Sequence, residues 1–130
     1  MPFHEAAVVE RMIDDFAQAP NGGLVVLPDA GTNLYRTKII AAVGRARLPA
    51  IYGFRNLAEE GGLMSYGVDV TELVRRAANY IDRIFKGANP GDLPVQLPDK
   101  FEFVINLKTA KTLDIQMPPG VLAIADAVIE

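Results

Sequence analysis

The sequence contains no cysteine and a single histidine. Without cysteine, the chain has no disulfide, no thiolate metal ligand and no cysteine nucleophile. The histidine, His4, lies among the first residues, and we interpret it as an exposed terminal side chain rather than the base of a Ser-His-Asp triad. No group of histidine and acidic residues has the spacing of a metal site, and no glycine-rich phosphate loop or dinucleotide motif is present. We therefore predict no catalytic residue, no metal and no cofactor.

Long apolar runs and an excess of one charge are also missing. The longest apolar runs, such as 39–43 and 121–125, are far shorter than the about 20 residues of a membrane-spanning helix. With 13 basic and 16 acidic residues the net charge is −3, so the chain lacks the basic excess of proteins that bind nucleic acids or anionic membranes. No basic start precedes an apolar stretch, so we expect no export signal in this chain. We predict no membrane insertion and no nucleic-acid partner.

Hydrophobic residues make up 50% of the chain, and their pattern predicts an α/β fold. Residues 5–18 have the apolar spacing of a helix. Three short apolar runs predict strands, at 24–27, 50–52 and 63–66. The first two strands would be buried on both faces. A loop at 29–33 with a helix after it, to about residue 46, separates the first two strands, and a helical turn at 56–60 separates the second from the third. This βαβαβ order implies parallel strands with right-handed crossovers, and therefore a three-layer open sheet of mostly parallel strands.

The second half of the chain is less regular. Asp69 is placed to cap a helix and Gly87 to end it. Apolar residues recur along one face of that helix: Leu73, Ala77, Ile81 and Ile84. The remainder predicts, in order, a proline-rich connector, a strand near an edge of the sheet, a short helix capped by Asn106 and a last apolar helix, at 88–99, 101–106, 106–113 and 119–129.

The candidate ligand site lies where the predicted strands end, because ligands of open parallel sheets bind outside the carboxyl ends of the strands. The three loops there precede helix N-termini, whose unpaired N–H groups favour anionic ligand groups. The candidate ligand-binding residues of these loops are Asp29, Thr32, Phe54, Arg55, Ser65, Tyr66 and Asp69. We expect the aspartates to be polar anchors, the arginine to pair with a carboxylate and the aromatic rings to form walls. A structural role is equally open: the aspartates would then cap helices, Arg55 would pair with Glu59, and the rings would join the core.

Five segments of the chain carry a resemblance to a known family. They are PNGGLVVLPD, LPAIY, GGLMSYG, YIDRIFKG and FEFVINLKTAK, at 20–29, 48–52, 61–67, 80–87 and 101–111. In this order they resemble the second lobe and C-terminal signature of the ABC transporter substrate-binding protein family, which has a type I periplasmic-binding fold. The family usually has glycine after the leucine that Leu113 matches, where this chain has Asp114. The loop around Gly53 and Asn56 varies in the family, so ligand specificity does not transfer.

The resemblance implies a non-enzymatic receptor of two α/β lobes that clamps a solute between them. Residues 1–130 would be its C-terminal lobe, with a βαβαβ core at 1–67 and a helix, connector, strand and C-terminal helices at 68–130. Its partners would be a small polar organic solute, such as an amino acid or carboxylate, and an ABC permease. The location would be periplasmic or otherwise extracytoplasmic, or cytoplasmic if the chain is a natural truncated product.

A missing first lobe would leave the apolar face of the helix after Asp69 without its usual cover. Exposed apolar side chains are stabilised by burial, so we predict a homodimer. Two alternatives remain open. One is an orphan domain that dimerises and has an interaction or regulatory role. The other is a small flavodoxin-like enzyme, for which Ser65 and Asp29 are the only candidate groups.

Overall fold

The computed structural model describes residues 6–130, with side chains from residue 7 onward. His4 and the start of the helix predicted from residue 5 lie outside the described residues. The chain divides into two compact units. Within the described part, the first unit comprises residues 6–67 and 102–130, and the second comprises Val68–Phe101.

Helices and strands alternate along the chain, as the apolar pattern predicted. The strands are β1 Leu24–Val26, β2 Ala50–Tyr52, β3 Met64–Val68, β4 Phe101–Asn106 and β5 Ala127–Ile129. The helices are α1 Ala6–Phe16, α2 Ala30–Leu34, α3 Arg36–Arg45, α4 Arg55–Glu59, α5 Val70–Phe85, α6 Leu107–Thr112 and α7 Pro119–Ala123. The loop predicted at 29–33 was wrong, because Asp29 caps a short helix there, α2. The helix predicted after that loop is present as α3, and Tyr35, which leaves the helical conformation, separates it from α2.

The five strands form one sheet in the order β1-β2-β3-β4-β5. β1 pairs with β2 in parallel, β2 with β3 in parallel, and β4 with β5 in parallel. The register places Val26 opposite Tyr52 and Tyr52 opposite Ser65. The predicted α/β class with an open, mostly parallel sheet is therefore confirmed.

Two clusters of buried hydrophobic residues lie in the core of the first unit. The larger cluster joins α1, α3, β2 and α4, and its buried members are Val9, Ile13, Ile39, Ala42, Val43, Leu48, Ala50, Tyr52 and Leu57. The smaller one joins Leu63 to Ala110 and Leu113 of the α6 region. Ala50 and Tyr52 are both buried, which agrees with the interior strand predicted at β2.

Two strand predictions were wrong about position in the sheet. β1 was predicted to be buried on both faces, but it is an edge strand, and Val25 is 71% exposed. β4 was predicted near an edge, but it lies between β3 and β5, with Val104 and Ile105 completely buried. An apolar run shows that a segment is a strand, whereas its neighbours in the sheet are decided by contacts distant in sequence.

The last predicted helix was also wrong beyond its first turn. α7 ends at Ala123, and the following residues form β5, which pairs with β4. Asp126 fixes this pairing. Its N–H donates to Phe103 O at 2.9 Å, and its carboxylate accepts from Phe103 N at 2.7 Å. The strand contains only Ala127, Val128 and Ile129, too short a run to distinguish a strand from a helix by periodicity.

The second unit consists of α5 and the connector that follows it. Asp69 caps α5 by accepting from Glu72 N at 3.0 Å, and Gly87, at φ 99°, follows the C-cap Lys86, as predicted. The connector contains a single 3-10 turn, Pro90–Asp92, and is otherwise irregular. Within this unit Lys100 pairs with Asp69 at 2.8 Å, Arg76 pairs with Asp99, and the Tyr80 hydroxyl donates to Pro94 O. Along its whole length α5 has no buried residue.

Candidate functional site

Three strand ends come into close contact at two glycines. A Cβ atom added to Gly53 would lie 2.3 Å from Pro28 Cγ, and one added to Gly67 would lie 1.9 Å from Gly53 O. Such separations are impossible, so only glycine fits at these two positions without a shift of the neighbouring loop. The contacts join the loop after β1 to the loop after β2, and that loop to the end of β3. We call residues 28–32, 53–56 and 65–67 the strand-end loops.

Asp29 and Thr32 form the turn that starts α2. Asp29 Oδ1 accepts from Gly31 N at 2.7 Å. Asp29 N donates to Thr32 Oγ1 at 2.9 Å, and the Asp29 side chain accepts from Thr32 N; these two bonds form a capping box. The Thr32 hydroxyl is also 3.1 Å from Leu27 O. The capping role foreseen for Asp29 is therefore present.

Arg55 is held by two carboxylates. Its Nε donates to Glu59 Oε1 at 2.7 Å, and its Nη1 donates to Glu102. The Glu59 hydrogen bond, followed by the charge of Glu102, raises the pKa of Arg55 above its ordinary value. The Glu59 contact has the i, i+4 spacing considered from sequence, whereas Glu102 was missed because its position beside Arg55 depends on the placement of β4 in the sheet.

The two predicted aromatic residues differ in exposure. Phe54 precedes α4 as its N-cap and packs on the larger hydrophobic cluster, so α4 begins at Arg55 rather than after Asn56 as the sequence suggested. Tyr66 is 55% exposed and lies edge-to-face against Phe103, with ring centroids 6.4 Å apart. Tyr66 thus offers an accessible aromatic surface, and Phe54 mainly fills the core.

Ser65 and Asp69 are placed differently from the other candidates. Ser65 is 1% exposed, and within the described residues its Oγ has no hydrogen-bond partner. A buried hydroxyl without a partner is costly. Asp69 belongs to the second unit, where the hydrogen bond from Lys100, and then that from Glu72 N, lowers the pKa of its carboxyl. Of the predicted site residues, five lie in the strand-end loops: Asp29, Thr32, Phe54, Arg55 and Tyr66. Ser65 is buried beneath the surface. Asp69 lies in the second unit and caps α5.

A groove of about 590 Å³ runs beside the exposed edge strand β1. It is lined mainly by apolar side chains of α1 and β1, among them Val9, Met12, Phe16, Val25 and Leu27, and it reaches Asp29 and Thr32 at one end. This β1 groove was not predicted from the sequence, because the apolar run of β1 is typical of an interior strand. Among the described residues no cluster of histidine and acidic side chains suits a metal ion, and no helix is long and apolar enough to span a membrane.

Solved structures share this architecture. A conserved domain protein from Vibrio cholerae superposes with a TM-score of 0.84 at 27% identity, over 95% of this chain and 42% of that one. An ABC domain from Streptococcus pneumonia, solved in complex with L-Trp, gives a TM-score of 0.83 at 25% identity, over 96% of this chain and 43% of that one. The chain thus spans less than half of each solved protein.

Sequence comparison also finds similarity to proteins that bind small solutes. A protein of Clostridioides difficile named as a tyrosine-binding protein is 31% identical over 70 residues, which are 54% of this chain and 20% of that protein. The family described as ABC transporter substrate binding protein matches residues 7–129. Because that match spans nearly the entire chain and agrees with the fold, the chain belongs to the ABC transporter substrate binding protein family.

Proposed function

We propose that this chain is the C-terminal lobe of the solute-binding component of an ABC importer, and that it binds its solute at the strand-end loops. The observation that carries the proposal is the contact of Gly53 with Pro28 on one side and with Gly67 on the other, which gathers three loops at the carboxyl edge of parallel strands. Ligands of such sheets bind at that edge. The shared fold of the L-Trp complex adds support.

The ligand we propose is a small polar organic solute such as an amino acid or carboxylate. A named tyrosine-binding relative and an L-Trp complex make an amino acid the favoured member of this class. Asp29, Thr32, Phe54, Arg55 and Tyr66 would supply the contacts, with Tyr66 as the exposed ring. Ser65 would support the loops from beneath, and Asp69 is retained as a polar anchor. The permease partner and an extracytoplasmic location belong to the same proposal.

A thermal-shift screen of the 130-residue chain tests this function. At a ligand concentration of about ten times Kd, binding adds about 1.4 kcal/mol to the unfolding free energy, which is a Tm rise of about 3–6 °C for a domain of this size. We expect at least one amino acid or small carboxylate to give such a rise. Tyr66→Ala should abolish the rise, while Phe85→Ala, which removes an exposed ring from the second unit, should leave it intact.

Two outcomes would contradict the proposal. One is the absence of stabilisation by any amino acid, carboxylate or sugar. The other is a Tm rise that survives Tyr66→Ala and is lost in Phe85→Ala, because the ligand would then lie away from the strand-end loops.

A second candidate is a dimerising interaction domain, favoured by the exposed apolar face of α5, where Ile81 is 52% exposed. We propose a homodimer through this face when the chain acts alone. The enzyme alternative is excluded on different grounds: the family and its relatives are substrate-binding proteins rather than enzymes.

A further inference from the structure

The strand-end loops contain one basic side chain, Arg55, and it is already engaged. Nε donates to Glu59 and Nη1 to Glu102. Of the three guanidinium nitrogens of Arg55, only Nη2 has no hydrogen-bond acceptor among the described residues. Other N–H groups of the guanidinium remain for a ligand. The positive charge of Arg55 is, however, already offset by two carboxylates, so Arg55 attracts a ligand carboxylate only weakly.

The charge around Arg55 is negative. Glu59 and Glu102 place two carboxylates on one guanidinium, and Asp29 adds a third carboxylate in the neighbouring loop, next to Pro28. Glu102 is the more sheltered of the two partners of Arg55, since its side chain is 23% exposed. Shelter from water strengthens the interaction of a carboxylate with a nearby charge.

The start of α2, where an anionic ligand group would otherwise find unpaired N–H groups, is also taken. Gly31 N donates to Asp29 Oδ1, so the protein's own carboxylate occupies that position. A carboxylate has more lone pairs than this cap uses, so Asp29 can still accept a hydrogen bond from a solute.

We propose that Glu102 is a specificity-determining residue: by holding Arg55, it makes the strand-end loops select solutes with a positively charged amino group over solutes that carry only a carboxylate. This inference rests on the proposed function and names the ligand class of the same site. It revises the role of Arg55 from carboxylate donor to partner of Glu59 and Glu102. The positively charged amino group of the solute would contact the carboxylates of Asp29, Glu59 or Glu102.

A ligand series with one ring and three charges tests the proposal. Tyramine, L-tyrosine and 4-hydroxyphenylacetate share a phenol ring and are a cation, a zwitterion and an anion at neutral pH. Titration of the 130-residue chain, followed by amide chemical shifts, measures affinity even when binding is weak. We expect tyramine to bind up to about fivefold more tightly than 4-hydroxyphenylacetate, since one exposed ion pair contributes at most about that factor.

Glu102→Gln separates specificity from binding. Removing this charge and releasing Arg55 should lower the tyramine preference at least about threefold, mainly by improving the affinity for 4-hydroxyphenylacetate. Glu60→Gln is the matched control, because Glu60 pairs with Arg36 at 2.9 Å, and the preference should not change. If Glu102→Gln fails to fold, as judged from its amide spectrum, Glu59→Gln releases Nε of the same guanidinium and replaces it in the test.

The outcomes are distinguishable. Equal affinity for the three ligands, tighter binding of the anion, or an unchanged preference in the variant overturns the role of Glu102 and leaves the receptor function standing. If none of the three ligands, and no other amino acid or carboxylate, perturbs the strand-end loops, the proposed function fails together with this inference.

Discussion

At the scale of the residue, Asn106 and Asp114 show how single residues outside the strand-end loops fix the two ends of α6. Asn106 is buried, and its amide donates to Ala58 O at 2.8 Å while its oxygen accepts from Thr109 N at 3.1 Å. It therefore caps α6, as predicted, and also ties β4 to the end of α4. Asp114, which stands where the family usually has glycine, adopts a φ of 59°. The helix end thus keeps a conformation that glycine favours, and aspartate tolerates it better than most residues.

The close approach of Gly67 to Gly53 makes a prediction at this scale. Gly67→Ala should lower the free energy of unfolding by about 1–3 kcal/mol, because the new methyl group forces Gly53 and its loop to shift. Gly44→Ala is the control, since nothing lies within 4 Å of a Cβ atom in that position of α3. It should raise stability by about 0.5–1 kcal/mol. Urea unfolding measures both changes, and an unaltered stability in Gly67→Ala would show that the strand-end loops are not in contact.

At the scale of the element, the sequence predicted whether a segment is a helix or a strand better than it predicted where a strand lies in the sheet. β2, α5 and the cap of α6 were correct because each has a local signal: an apolar run, an amphipathic stripe or a capping side chain. The edge position of β1, the interior position of β4 and the existence of β5 were not predictable, since each depends on pairing between strands far apart in sequence. The same limit explains the site. Arg55 and Tyr66 could be selected from their loops, whereas Glu102 and Phe103 are brought to them only by β4.

The carboxylate of Asp69 at the N-terminus of α5 should make the stability of the chain depend on pH. Lys100 and the cap to Glu72 hold the pKa of Asp69 below its ordinary 3.8, so the charged form stabilises the fold. This contribution is present above pH 3.8 and is lost as the pH falls through the lower folded pKa. Asp69→Asn should keep a cap but lose the charge. It should have a lower Tm than the wild-type chain at pH 7, and the difference should vanish toward pH 2.

Thermal unfolding followed by circular dichroism from pH 2 to pH 7 checks this prediction. Arg76 and Asp99 form another pair in the same unit, so Asp99→Asn serves as the comparison for a residue that has a lowered carboxyl pKa but does not cap α5. A Tm difference between Asp69→Asn and the wild-type chain that persists at pH 2 would show that the aspartate acts other than through its charge.

At the scale of the whole molecule, the chain has the fold of its family over less than half the length of the solved relatives. Its first unit has its own core, while α5 of the second unit has an apolar face without a buried residue. The homodimer that we propose would cover this face. Ile81→Glu should then shift the chain toward monomer, because a charge cannot be buried there without a partner.

Asn79→Glu provides the control on the polar face of α5 and should leave the dimer intact. Sedimentation velocity over a hundredfold dilution measures both variants and the wild-type chain. A wild-type mass equal to one chain at every concentration, or equal dissociation by the two variants, would contradict the proposed interface.

The central claim is that a solute binds at the strand-end loops. Intermolecular nuclear Overhauser effects between L-tyrosine and the chain measure this location directly. We predict contacts from the ligand ring to the ring of Tyr66 and from the ligand backbone to Thr32 and the amides around Gly53. Contacts instead to Met12 and Phe16 in the β1 groove, or to α5, would contradict the account.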